Sequence, residues 1–309
     1  MGRNQWGGNG MNNAYTKQVK LLLDVLPEVA KDACFAMHGG TAINLFVRDM
    51  PRLSVDIDLT YVEIAERNET LEGINAALIR IKERIESLRP SIRIQHKENI
   101  CKLQLDERGV MIKIEVNMVG RGLIGETTKA QLCEAAQEQF DAFCAVPIVP
   151  LGQLYGGKLC AAMDRQHPRD LFDVKLLLDN EGFTDEIKRG FIFGLVGSNR
   201  PTHEMLNPNL LDQRMAFENQ FEGMSAIEFS YDEYEATRLQ LIETIQSSLN
   251  ESDKAFLLSL NGLEPDWSIY DFQAFPSVKW KLLNLEKFKT EKPESYQQQL
   301  SELGKVLAQ

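Results

Sequence analysis

FAMHGGTAINLFVRDMPRLSVDIDLTY, residues 35–61, decides how the rest of the chain is read. In its last eight residues, SVDIDLTY, the apolar Val55, Ile57, Leu59 and Tyr61 alternate with Ser54, Asp56, Asp58 and Thr60. A period of two is that of a strand, and it puts both aspartates on one face. Their Cα atoms then lie about 6.6 Å apart, two strand steps. Carboxylates at that spacing repel each other unless a cation joins them, and Mg²⁺ takes carboxylate oxygens readily. A D-x-D alone is also what a half-exposed strand with solvated acids looks like.

The glycines upstream change the balance. Gly39 and Gly40 follow an apolar run (Cys34 to Met37) and precede a helix-like run (Ala42 to Val47). Strand, tight turn and helix in that order let backbone N–H groups approach a phosphate. One feature suits a phosphate and the other suits the metal that a phosphate brings. Thr41 and Ser54 flank them with hydroxyls that serve either a phosphate or the capping of turns.

A G-G turn, a short helix and an alternating D-x-D strand resemble the DNA polymerase β-like nucleotidyltransferase superfamily. Within it, GGTAINLFVRDMPRLSVDIDLTY is similar to the AbiEii/AbiGii-type nucleotidyltransferase toxins, and so is LYGGKLCAAMDRQHPRDLFDVKLLL further on. The resemblance runs from Tyr15 to Asn180 and then fades. It implies a small mixed β-sheet flanked by helices, an α/β (α+β) fold, followed by a mainly helical region. It also implies nucleotidyl transfer from an NTP, with two Mg²⁺ ions held by Asp56 and Asp58. The biological setting it implies is a cytoplasmic toxin of a bacterial toxin–antitoxin or phage-defence system, with a separately encoded antitoxin. Some relatives modify the tRNA acceptor end, which makes RNA the expected acceptor.

Composition sets the outer bounds. The 309 residues suffice for two domains or one large one. No run of eighteen apolar residues exists, so no membrane span is expected. Residues 1–13, MGRNQWGGNGMNN, lack the apolar stretch of a signal peptide and read as a flexible polar leader. The five cysteines show no C-x-x-C pairing and read as small buried hydrophobes. A net charge of −11 argues against coating of nucleic acid by the whole surface, while leaving room for a local basic patch.

Residues 15–31 and 70–88 carry helical stripes, the second the clearest in the chain, ended by Pro90. Three strands are expected at 92–97, 100–106 and 110–118, with Glu107-Arg108-Gly109 as a hairpin turn. In the last of these, Lys113, Glu115 and Asn117 alternate with apolar residues. If it lies beside the aspartate strand with its apolar face in the same core, Glu115 emerges on the metal face. The superfamily places a third carboxylate on such a strand, which makes Glu115 the expected third ligand; a solvated glutamate is the plainer alternative. Residues 132–149 are ambiguous: their Ala, Glu and Gln favour helix, whereas CAVPIV reads as extended. A helix at 151–163 is weakened by Gly156-Gly157, and Pro168 starts the next one.

Between those two helices lies a second constellation. Lys158 and Arg165 share a helix face, Arg169 follows, and Asp170 and Asp173 occupy the first turn of the next helix. Spacing alone describes a structural Lys/Arg–Asp clamp as well as a site. The family's K-x(6)-R-x(3)-R-D-x(2)-D-like pattern is matched by Lys158, Arg165, Arg169, Asp170 and Asp173. On that pattern Lys158 contacts the triphosphate and Asp173, or Asp170, orients the base or the acceptor hydroxyl. Beyond Asn180 strand patterns nearly vanish and six helices are read, so the expected division is a nucleotidyltransferase domain at 1–180 and a helical domain at 181–309. Lys279, Lys281, Lys287, Lys289 and Lys292, interleaved with Trp280 and Phe288, form a dense basic cluster that is either a solvated helix face or an RNA-contacting stripe. Two other classes stay open: a nucleotide- or partner-binding protein without turnover, and a transferase acting on a protein or small molecule.

Overall fold

A computed structural model describes residues 10–308, with side chains from Ala14 onward. The leader expected at 1–13 therefore lies outside the described residues for its first nine positions. Two compact units make up the chain. The first comprises residues up to Pro150 together with Gln220–Glu228; the second comprises Leu151–Asn219 and Phe229 onward.

The first unit is built on a seven-stranded mixed sheet in the order β3-β4-β5-β2-β1-β7-β6. Its strands are β1 (Phe35–His38), β2 (Asp56–Tyr61), β3 (Arg93–Lys97), β4 (Lys102–Glu107), β5 (Val110–Asn117), β6 (Thr128–Gln131) and β7 (Ala145–Ile148). The pairs β2/β5 and β1/β7 are parallel and the others antiparallel. Ile57 and Leu59 of β2, Ile112 and Ile114 of β5 and Leu103 and Leu105 of β4 are buried, as alternation requires of one covered face. Helices α1 (Gly10–Val29) and α3 (Arg67–Leu88) supply the cover. Val19, Leu22 and Leu26 of α1 and Ile74, Leu78 and Ile81 of α3 are fully buried. An ion cluster fastens the two helices: Asp32 just beyond α1 accepts from Arg80 Nη2 at 2.6 Å and from Arg84.

Both readings of residues 132–149 find a place, since α4 (Glu134–Phe140) precedes β7. Strand β6 was not anticipated, because TKAQ at the sheet edge has no apolar alternation to betray it.

The second unit is helical: α5 (Leu151–Arg165), α6 (Pro168–Asn180), α7 (Asp185–Val196), α8 (Thr202–Leu206), α9 (Arg214–Gln220), α10 (Tyr231–Ser248), α11 (Glu251–Asn261), α12 (Pro276–Glu291) and α13 (Pro293–Leu307). The first change of unit along the chain comes after Pro150. Helices α5 and α6 carry the family motif, yet they pack with the helices that follow. Of the two glycines expected to weaken α5, Gly156 explains why, whereas a Cβ on Gly157 would meet nothing within 4 Å. A Cβ on Gly156 would run into the Gly190 backbone of α7, and one on Gly190 would strike the Gly152 carbonyl. The glycines let two backbones approach closely, so α5 runs unbroken and binds α7. The basic cluster on α12 also divides. Lys281 is buried and donates to the carbonyls of Ser198 (2.9 Å) and Arg200 (2.6 Å), and burial pushes its ammonium down to about 8. Lys279, Lys287, Lys289 and Lys292 remain exposed.

Candidate active site

In the first unit the site grows from the end of β1. His38 closes that strand, with its Nδ1 3.0 Å from Thr60 Oγ1 of β2, so it packs at the strand end. The chain then turns at Gly39, whose φ is +76°. That left-handed conformation favours glycine, and space demands it a second time, because a Cβ there would collide with the Asp58 carboxylate. A Cβ on Gly40 would stand 2.8 Å from Arg52 Nη2 and 3.0 Å from Ser54 Oγ. From this turn α2 (Gly39–Ala42) leads into a π-helical turn, Ile43–Val47, where Asn44 Nδ2 donates to Gly40 O at 2.9 Å. Thr41 is buried; its hydroxyl donates to the Asp56 carbonyl and lies 3.0 Å from Ser54 Oγ.

The turn and the D-x-D strand therefore meet. Asp58 pairs in register with His38 on one side of β2 and with Glu115 of β5 on the other. Asp56 and Asp58 are half-buried while Ile57 between them is fully buried, so both carboxylates share the face away from α1 and α3. Hard carboxylate oxygens on one half-open face are a donor set that suits Mg²⁺.

Glu115 has the expected register, beside Asp58. Its carboxylate, however, is bonded to Lys102, its partner in register on β4. Among the described residues no group of three or more His, Cys, Asp or Glu side chains is gathered as a metal site. The three acids share a face and a neighbourhood, with the Glu115 carboxylate taken up by Lys102. Arg52 is the residue that sequence reasoning passed over. It is 3 % exposed and lies against Gly40 and beside Ser54. A lone Arg after a proline in an irregular stretch offers no periodicity to flag it.

In the second unit the predicted constellation assembles at the α5–α6 junction. Lys158 Nζ lies 2.9 Å from Asp170 Oδ1 and 2.9 Å from Asp173 Oδ2. Arg165 adds a forked contact, Nε to Asp170 Oδ2 at 2.5 Å and Nη2 to Oδ1 at 3.0 Å. Lys158 and both aspartates are buried, whereas the Arg165 side chain is 63 % exposed. Burial would raise the Asp170 carboxyl, but the Lys158 ammonium and the Arg165 guanidinium outweigh it and hold Asp170 well below the usual carboxylate range. His167 caps α6 by accepting from Arg169 N at 3.1 Å, which places Arg169 in the first helical turn. Between the helices Gln166 turns the chain with φ +51°. Its amide donates to Asn209 O (2.7 Å) and accepts from Leu211 N (3.0 Å), contacts that no periodicity around Gln166 signals.

A family model described as "Nucleotidyl transferase AbiEii toxin, Type IV TA system" matches residues 20–284. The chain belongs to this family. As an AbiEii member it is a nucleotidyltransferase toxin of the type IV toxin–antitoxin class. Among solved structures, MenT4, a nucleotidyltransferase toxin from Mycobacterium tuberculosis H37Rv, is similar with a TM-score of 0.62. The alignment covers 92 % of this chain and 95 % of that one at 14 % sequence identity, a likeness of fold. Comparison with curated proteins finds no match. Among the described residues no helix is long and apolar enough to cross a membrane.

Proposed function

We propose that this AbiEii-family chain moves a nucleoside monophosphate from an NTP to an acceptor hydroxyl on RNA, the tRNA acceptor end in particular, in a Mg²⁺-dependent reaction. The observation that carries the reading is the close approach of the Asp58 carboxylate to Gly39, which supports a phosphate seated on the turn next to a metal held by the aspartates.

Backbone N–H groups of the turn seat the NTP phosphates, with Ser54 as a hydroxyl donor at the same place, while Thr41, whose hydroxyl donates to the Asp56 carbonyl, ties the turn to β2. Asp56 and Asp58 would hold the Mg²⁺ ions, with Glu115 joining as third ligand by leaving Lys102. When bound, the metal supplies charge neutralisation and activation of the acceptor hydroxyl. On the family's pattern, the Lys158 cluster of the second unit, with Arg165 and Arg169, carries a nucleotide-binding role as point charges. Asp173 orients the acceptor hydroxyl, and Asp170 holds Lys158 and Arg165 in place. The biological partner is a separately encoded antitoxin.

The test is incubation with total RNA, a protein extract and each radiolabelled NTP in the presence of Mg²⁺. Label in the tRNA fraction supports the proposal. Label in protein or in a small molecule makes the chain a transferase of another class. NTP binding without pyrophosphate release makes it a binding protein on a nucleotidyltransferase fold.

A further inference from the structure

The first unit contains a segment that arrives late in the chain. Residues Gln220–Glu228 belong to it, although the stretches on either side belong to the second unit. This strap lies antiparallel to Pro51-Arg52-Leu53, the loop between the π-helical turn and β2. Leu53 N donates to Met224 O at 2.8 Å and Ala226 N donates to Pro51 O at 2.9 Å, and Arg52 and Ser225 form an isolated bridge. Met224 and Phe221 are buried, so the strap is packed as well as hydrogen-bonded. Gly223, with φ +78°, turns the chain into it. Its effect is to fix Arg52, whose Nη1 donates to Leu53 O at 3.0 Å and whose Nη2 lies where a Gly40 side chain would be.

We propose that Arg52 is a positioning residue for the nucleotide phosphates, acting through the Gly39–Gly40 turn, and that the 220–228 strap sets its place. This rests on the nucleotidyl-transfer reading of the turn. A guanidinium keeps its charge at every working pH, and at 3 % exposure water screens it weakly. It backs the turn from behind. It holds Gly40 and Ser54 in position and adds positive potential where the N–H groups face outward. A purely structural arginine would support all ligands alike. One that acts through the phosphate turn matters in proportion to phosphate charge.

The experiment uses the full-length protein and compares affinity for the tightest-binding Mg²⁺-NTP with affinity for its nucleoside. Arg52→Gln is expected to weaken NTP about tenfold, the scale of one lost charge-assisted contact, and to leave the nucleoside unchanged. Arg52→Lys is expected to recover most of the NTP affinity. Ala226→Pro, which deletes the N–H bonded to Pro51 and leaves Arg52 intact, is expected to shift the same ratio. Melting temperatures check that each variant folds; if Arg52→Gln does not fold, Ala226→Pro decides. Equal weakening of NTP and nucleoside, or an unchanged ratio in folded variants, overturns the inference while leaving nucleotidyl transfer standing. A wild-type protein that binds no NTP overturns both.

Discussion

At the scale of single residues, the site depends on a few atoms that must be absent and a few charges that must be present. Gly39 is constrained twice, by its φ of +76° and by the Asp58 carboxylate against its Cα. Gly39→Ala is expected to destabilise the fold by about 1–3 kcal/mol, from a left-handed alanine plus a clash, and to lower NTP affinity; denaturant melts with and without Mg²⁺-NTP check both. Asp56→Ala is expected to abolish NMP transfer while the protein still folds, which a thermal melt checks, because the Asp56 side chain lies outside the apolar core. Transfer at the wild-type rate by a purified Asp56→Ala protein would remove the metal pair from the mechanism. Glu115→Gln is expected to be milder, since that carboxylate bonds Lys102. The aspartate pair was legible because alternation fixes which face a side chain takes. Arg52 was not, since a loop residue acquires its neighbours from tertiary structure alone.

At the scale of elements, regularity decided what could be read. The apolar stripe of α3 and the alternation of β5 announced themselves, and Pro168 marked the start of α6. Gly156 of α5 misled, because propensity scores a glycine by its own backbone, whereas this one answers to α7. The α5–α6 junction was visible as spacing, but spacing could not reveal that burial turns Lys158, Asp170 and Asp173 into one ion cluster. That cluster gives a pH signature. Asp170 is held below its ordinary value of 3.8, so the folded state binds fewer protons than the unfolded one in acid. Its contribution to stability is full above the ordinary value and is lost as pH falls below it toward the depressed folded value. Asp170→Asn is therefore expected to lower stability at neutral pH by about 1–3 kcal/mol, the loss of buried charge-assisted contacts while Lys158 keeps Asp173. It should also flatten the acid limb of the stability curve. Urea melts between pH 3 and pH 7 measure both, and a variant with an undiminished acid limb would show that other carboxylates carry it.

At the scale of the whole molecule, sequence order and structural membership part company. The family motifs suggest a boundary near Asn180, where strand patterns stop. The compact units place α5 and α6 with the helices after them, and return Gln220–Glu228 to the sheet unit. A fragment of residues 1–180 would thus be wrong at both ends of its logic. Its sheet would lack the strap that pairs with Pro51–Leu53, leaving Leu53 N and Pro51 O without their partners. Its α5 would expose the glycine face that α7 covers. The expected outcome is a fragment that aggregates or melts without cooperativity, whereas the full chain melts cooperatively. Far-UV circular dichroism and gel filtration of the two proteins side by side decide the matter. A soluble, cooperatively melting 1–180 fragment that still binds Mg²⁺-NTP would show that the strap is dispensable and would return the boundary to Asn180.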